Sequence, residues 1–355
     1  MKLANALVLS LLPFVLAPTP IASSATTSAR RPDPVSPLAR ATAEKGMQWL
    51  VRAQNHDGSW GDNPGCPGEV GNTAIACLAL LAHGSTPTRG QHCMVLQRAF
   101  DWITRRTRGY VGGKRLDATT LLHRKLGDNA DLYLVALLYS QSTTLNCELF
   151  EDDRMRNELR NMAAHIARLQ KSNGEWETSY EPMLTTIAAW QALKQTHAAG
   201  ILIDQASPEK VVRYLREDCL EKATGVFRED KWGRAQRFVT QAGGVRVLIG
   251  EGLGKEEDVQ RAIGVIDKMR FDQDVGGATG GEEFLGALYA TQALLLEQDK
   301  VYAAWYDRIT KALKSSQNAD GSWVGHHCIT GRVFCTACSI LTLLTPDRQL
   351  PLVER

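Results

Sequence analysis

The stretch GHHCITGRVFCTAC, residues 325–338, sets two histidines and three cysteines within fourteen positions. Imidazole nitrogens and thiolates are ligand types that suit zinc, and cysteines pair where the compartment is oxidising. Near the other end of the chain, NPGCPGEV (63–70) carries Cys66 and Glu69. Three arrangements are open to these residues. Cys66 and Cys328 form a disulfide; or Cys66, His326, His327 and Cys328, aided by Glu69, hold a zinc ion; or the cysteines are free and the loop is simply polar. No standard ligand spacing selects the metal. Cys335 and Cys338 lie one helical turn apart in an apolar pattern, where packing explains them better than redox chemistry. Carboxylates offer a second chemistry. Protonating an alkene takes a carboxylic acid oriented by other carboxylates, and cleaving a glycosidic bond takes a pair of them. The acidic strings FEDDR (150–154) and FDQDV (271–275) read as solvated turns.

Groups so far apart in sequence can act together only if the fold gathers them, and an internal repeat says how. AQNHDGSWG (53–61) recurs as LQKSNGEW (169–176) and SQNADGSW (316–323). Each copy follows an amphipathic helical pattern and precedes a small-residue apolar one: NTAIACLALL (72–81), TTIAAWQAL (185–193) and CTACSILTLL (335–344), opened by Thr73, Thr186 and Thr336. Weaker copies fill the gaps, with second helices at 130–139, 239–250 and 289–298. The result is six units of about fifty residues, each a helix, a Gly-rich turn and a second helix. Asp-Gly and Asn-Gly supply the positive φ that reverses the chain. Gln54, Gly58 and Trp60, with Gln170, Gly174 and Trp176 and with Gln317, Gly321 and Trp323, form three structural clamps. The Gln amide is placed to satisfy orphan groups at the helix ends, with the indole packed over it. The second helices are apolar nearly all round and must be buried; the first helices carry charge on one side. Six buried helices inside six amphipathic ones describe an all-α, six-repeat α/α toroid. Closing the ring makes the first and sixth units neighbours, which brings the Cys66 loop toward His326, His327 and Cys328.

The starts of the inner helices then face one end of the ring, where their partial positive charges converge. Glu69, Asp131, Glu181, Arg237, Glu283 and Arg332 stand near those starts. Asp131 and Glu283 are the candidate acids if there is catalysis. Glu69, Glu181, Arg237 and Arg332 are candidate ligand contacts, and capping or mutual pairing is the alternative for all of them. Residues 1–25 have the layout of a secretory signal peptide, with Lys2 the one charge before Arg30 and an apolar run from Ala6 to Ala17. A polar, Pro-rich linker is expected over 26–40, the toroid over 41–346 and a tail over 347–355. This places the protein in the periplasm or outside the cell. The run is too short to span a bilayer. The net charge of +2, from 41 basic and 39 acidic residues, shows no basic stripe, so nucleic acid is not expected as a partner.

KGMQWLVRAQNHDGSW (45–60) resembles the QW motif of squalene and oxidosqualene cyclases, with Lys45, Gly46, Trp49, Leu50, Gln54, Gly58 and Trp60 all in place. Over about 45–345 the chain is similar to the prenyltransferase and squalene-cyclase repeat superfamily. That resemblance implies the toroid strongly and the reaction weakly. The cyclases' Asp-x-Asp-Asp acid is not reproduced in FEDDR or FDQDV, and the DDxxD of ionising synthases is missing. The prenyltransferases' zinc site of Asp-x-Cys and a later His is matched only by Glu217-Asp218-Cys219, with the wrong spacing. A complement-type thioester needs Gln where Glu69 stands. The expected function is therefore a non-catalytic exported toroid that binds an apolar or isoprenoid-like small molecule, or an extracytoplasmic protein. A diverged terpenoid cyclase or prenyl-transfer enzyme is the alternative, and a polysaccharide-cleaving toroid a second. A deep aromatic chamber favours cyclisation, spaced carboxylates favour sugar, and a filled ring favours binding.

Overall fold

Every residue of Val70–Ala82 is buried, and so is every residue of Phe238–Gly250. Two such helices cannot be surface elements, and they set the architecture. The computed structural model describes residues 35–110, 115–145, 147, 153–176, 180–202, 208–228, 237–269, 271, 282–297, 300–326, 329–347 and 350. Residues 1–25, expected to be a signal peptide, lie outside them, as do His327, Cys328 and most of FEDDR and FDQDV.

The inner helices are α2 (Val70–Ala82), α5 (Ala130–Thr144), α7 (Pro182–Ala198), α9 (Phe238–Gly250), α11 (Glu283–Glu297) and α13 (Arg332–Leu344). Each packs on the next, and α13 packs on α2, so the ring closes. The outer shell is α1 (Pro37–Arg52), α3 (Cys93–Thr107), α6 (Arg154–Arg168), α8 (Pro208–Arg213) running into a π-type turn (Tyr214–Cys219), α10 (Glu257–Lys268) and α12 (Lys300–Ser316). A short hairpin, β1 (Leu220–Glu221) with β2 (Val226–Phe227), forms the fourth turn. The six expected pairs are present. An unexpected helix, α4 (Leu121–Leu126), is inserted before α5.

Both ends of the fold reach past the expected boundaries. Pro37–Arg40, assigned to the linker, are the first turn of α1, because the Ser36 hydroxyl accepts from the Ala39 N–H at 3.1 Å and Pro37 suits the first helical position. Asp347, assigned to the tail, ends a 3₁₀ turn and pairs with Arg40 at 2.9 Å.

The three clamps share one geometry. Each indole N–H donates to a carbonyl in the last turn of its own outer helix: Trp60 to Leu50 at 2.8 Å, Trp176 to Ile166 at 2.7 Å, Trp323 to Leu313 at 2.8 Å. Each Trp backbone N–H donates at 3.0 Å to the threonine that opens the inner helix, Thr73, Thr186 or Thr336. The Gln reaches elsewhere. Gln54 Nε2 donates to the Gly58 carbonyl and to the Val95 carbonyl of α3, both at 2.9 Å. Gln317 does the same to Gly321 at 2.9 Å and to Thr42 of α1 at 3.0 Å. So the division of labour differs from expectation. The indole, a donor placed ten residues after the orphan carbonyl, serves its own helix; the amide ties the turn to the next unit. Gly58, Gly174 and Gly321 have φ of 95°, 102° and 100°. A Cβ at these positions would collide with the backbone carbonyl of Arg98, Lys210 or Lys45 on the next outer helix.

The fourth unit lacks the Gln, and the inner helix replaces it. Gln241 Nε2 donates to the Gly225 carbonyl at 2.9 Å and the Ala262 carbonyl of α10 at 3.1 Å. Its Oε1 accepts the Phe227 N–H at 2.9 Å, with Phe227 in the Trp position. Gln241→Leu is expected to destabilise the protein by about 3 kcal/mol, since three buried backbone groups lose their partner. Equilibrium urea unfolding measures this, and a change under about 1 kcal/mol would remove Gln241 from the clamp set.

Candidate functional site

At the inner-helix starts, Glu181 occupies the position before α7, Arg237 that before α9 and Glu282 that before α11, which Glu283 opens. Arg237 reaches Glu181 Oε1 and Glu282 Oε2 at 3.0 Å each and makes a second contact with Glu181 Oε2. Lys125, from α4, joins Glu181 directly and Glu282 at 3.4 Å. The carboxylates are 2% and 1% exposed and the cations 13% and 12%. Two anions and two cations with almost no solvent must hold one another, since any one removed leaves a buried charge uncompensated. Burial, then the charge of Glu181, holds the Glu282 carboxyl above the ordinary carboxylate range.

A second group lies beside α2 and α5. Asp131 Oδ2 accepts the Leu116 N–H at 2.8 Å and the Asp117 N–H at 3.1 Å, and Oδ1 accepts the Leu132 N–H at 2.8 Å. His123 Nε2 faces Oδ1 at 3.5 Å. With both oxygens taken as acceptors, Asp131 holds the segment before α4 rather than presenting an acid to the ring. Asp117 accepts the Val70 N–H at the start of α2 and pairs with Arg106 at 3.2 Å. Glu69 accepts from Asn72 Nδ2 at 2.7 Å. Burial, then the charges of Asp62 and Asp117, push its carboxyl up to about 7. Burial also raises Asp62 and Asp117.

The remaining predicted residues serve the seam. Glu283 Oε1 accepts the His326 backbone N–H at 3.0 Å and touches its Nδ1 at 2.9 Å. Arg332 turns away from the mouth: Nε donates to Ser322 at 3.1 Å, a terminal nitrogen meets Asp320, and the guanidinium sits 4.8 Å over the Trp49 ring. The first-unit loop does reach α13, for the Val333 N–H donates to the Asp62 carbonyl at 3.2 Å. Cys66, on that loop, is a half-buried free thiol, and Cys335 and Cys338 are buried ones in the core. The proposed Cys66–Cys328 bridge and the His327 ligand fall outside the described residues. Among the described residues, no three His, Cys, Asp or Glu side chains are placed to share a metal ion.

The structure therefore brings together Glu181 and Arg237 in one group and Asp131 and Glu69 in a second, and leaves Glu283 and Arg332 apart from both. Sequence reasoning missed Lys125, His123, Asp117, Asp62, Asn72 and Glu282. Only Glu282 had a visible signal, as the neighbour of a residue already singled out.

Inside this layer the described inner-helix side chains pack closely along the ring axis. Its void is about 30 Å³, lined by side chains such as Leu78, Tyr133, Leu137, Leu288, Tyr289 and Phe334. On the outer side of α4 an open cleft of about 520 Å³ is bounded by Thr119, His123, Arg124, Lys125, Asp128 and Tyr180.

The family model of the prenyltransferase alpha-alpha toroid domain matches residues 22–115, 128–295 and 255–354. The chain belongs to this family. No curated protein matches its sequence. Among solved structures, this toroid is similar to a variant of the type II terpene cyclase MstE from Scytonema in complex with merosterolic acid A. The identity is 15% over 88% of this chain and 98% of the cyclase, with a TM-score of 0.58. A further variant of the same enzyme, in complex with geranylgeranyl dihydroxybenzoate as substrate, aligns at TM-score 0.56, 15% identity and the same coverage. A variant of the α-1,6-mannanase GH76A of Salegentibacter sp. HEL1_6, in complex with α-1,6-mannotriose, aligns at TM-score 0.58 with 9% identity, over 87% of this chain and 99% of the mannanase. At these identities the likeness is one of fold. Among the described residues no helix of the toroid is long and apolar enough to cross a membrane.

The Glu69 geometry has a measurable consequence. Folding raises its carboxyl from an ordinary 4.5 to about 7, so the folded state holds the proton more tightly than the unfolded state. Stability is then lost as pH rises through this window, and the full penalty stands above it. Glu69→Gln is expected to remove that loss, gaining about 1 kcal/mol at about pH 8 and little at about pH 4, after allowance for its partial exposure. Urea midpoints of both proteins at the two pH values check this; an equal change at both would refute it.

Proposed function

We propose that the protein is an exported, non-catalytic toroid that binds a small apolar or isoprenoid-like molecule at its ring mouth. The observation that carries the reading is the filled axis. A void of about 30 Å³ holds a single water-sized occupant, whereas small-molecule sites of drug size occupy about 300–1,000 Å³. A cyclisation chamber needs space for the whole folded substrate, and the axial void bounded by the described residues does not offer it. The absent acid and metal signatures support the same reading. So does the mouth, where most of the charged groups are spent on one another. The preference for an apolar ligand is supported by the likeness of the fold to a terpene cyclase solved with geranylgeranyl dihydroxybenzoate.

The enzymatic alternative, a diverged terpenoid cyclase, draws support from one group. Glu69, with Asp62 and Asp117 around it, is a carboxyl that keeps its proton near neutral pH, as a proton donor to an alkene must.

Native mass spectrometry of protein from an exporting host separates the two. The binding reading expects one apolar molecule retained per chain and no new product when linear polyprenyl alcohols are added. Cyclised product accumulating beyond a single turnover, and lost in Glu69→Gln, would replace it with the cyclase.

A further inference from the structure

The void at the ring axis is lined by side chains from five inner helices and by one that no inner helix supplies, Leu126 of α4. Its neighbour one turn back, Leu122, lies against Gly71 in the first turn of α2. Leu122, His123 and Leu126 are 3%, 4% and 2% exposed. An inserted segment thus drives two aliphatic side chains into the mouth of an apolar ring. In the first, third and sixth units the described residues between the turn and the inner helix form no such helix.

A six-residue helix is too short to hold itself together, so α4 depends on its attachments. Its N-terminus is capped by the reciprocal Thr120–His123 pair, and it ends at Gly127, which has φ of 94°. Lys125 is fastened to Glu181 and Glu282, and His123 faces Asp131. The other face of α4 borders the open cleft of about 520 Å³, so nothing described blocks outward movement.

We propose that α4 is a removable plug. Leu122 and Leu126 occupy the place of an apolar chain, and the Lys125 ion pairs keep the mouth shut until a ligand displaces them. This rests on the binding reading above and adds its regulation and its head-group chemistry. When Lys125 leaves, the described charge partners of Glu181 and Glu282 reduce to Arg237, so this cluster holds two carboxyl groups against one guanidinium. A carboxylate relieved of its ammonium accepts a hydrogen bond from a hydroxyl or amine and repels a phosphate. The ligand class is therefore an apolar chain ending in an alcohol or amine, not a diphosphate.

The probes are farnesol, farnesylamine, oleylamine and farnesyl diphosphate, titrated into the full mature chain and followed by calorimetry. The apparent affinity of a shut protein is reduced by the fraction of molecules that are open. Lys125→Gln, which unpins α4 but keeps its leucines, and Leu122→Ala with Leu126→Ala, which empties the plug, are each expected to bind farnesylamine at least about tenfold more tightly than the wild type. The diphosphate gains nothing. Amide exchange in 121–126 accelerates when farnesylamine is added to the wild type. Equal affinity in all three proteins overturns the plug and leaves the ligand reading intact. Folded variants that bind none of the alcohols or amines overturn the chamber, and with it the small-molecule reading. An equal gain for the diphosphate overturns the head-group assignment. A preference between farnesylamine and oleylamine tells a prenyl from an acyl chain. Should the double alanine variant not fold, the single Lys125→Gln change and the exchange measurement still decide.

Discussion

The toroid hangs on one kind of bond, a side-chain amide that joins a turn to a backbone carbonyl of the next outer helix. Gln54 makes it from the first unit to α3, and Gln317 makes it from the sixth unit back to Thr42 of α1. The second of these closes the ring. Inner helices as apolar as α2 and α9 have no face to give to water, so an open ring would be unstable at its free edges. The fourth unit shows that the bond, and not the position of the residue, is the constraint. There Gln241 approaches from the inner helix and meets the same two kinds of carbonyl. A glutamine is suited to the task because one amide donates twice while its oxygen remains to accept.

Closure has an electrostatic consequence. Six inner helices start at one mouth, and helix starts attract carboxylates. Each carboxylate drawn into a nearly dry layer must then find a donor or a cation. Glu181 and Glu282 find Arg237 and Lys125; Asp131 finds backbone N–H groups; Glu283 finds His326. Glu69 finds mainly other carboxylates, and answers by holding its proton. The acidity of the mouth is thus first a product of the architecture, and only what is left over is free for function.

The fold was legible because its determinants are local. Gly-x-Trp turns, opening threonines and apolar helices repeat along the chain, and each copy reinforces the others. The site was much less legible. Asp131 and Glu283 stood at the right places, yet their partners Leu116 N–H and His326 come from loops whose course no periodicity sets. Arg332 was placed with the mouth by its position at the start of α13, but Trp49 and Asp320 offer it a stacking surface and a carboxylate on the other side. Helix α4 escaped notice altogether. LLHRKL is too short to display a period, and its two leucines declare themselves core residues only when the ring is there to receive them. Lys125 went unremarked for the same reason.

The position of α4 also bears on how such a fold changes its role. The clamps occupy the turns and the outer helices, and they tolerate little. The connection between a turn and the following inner helix is free to lengthen, because both of its ends are fixed by bonds that do not involve it. In the second unit that connection has grown into the mouth and filled it. Leu126 there joins the inner-helix side chains that line the axial void, with no change to any helix of the toroid. A fold that hosts both terpenoid and sugar chemistry in other proteins need not lose its architecture to lose an activity, or to place it under the control of a segment three residues from an inner helix.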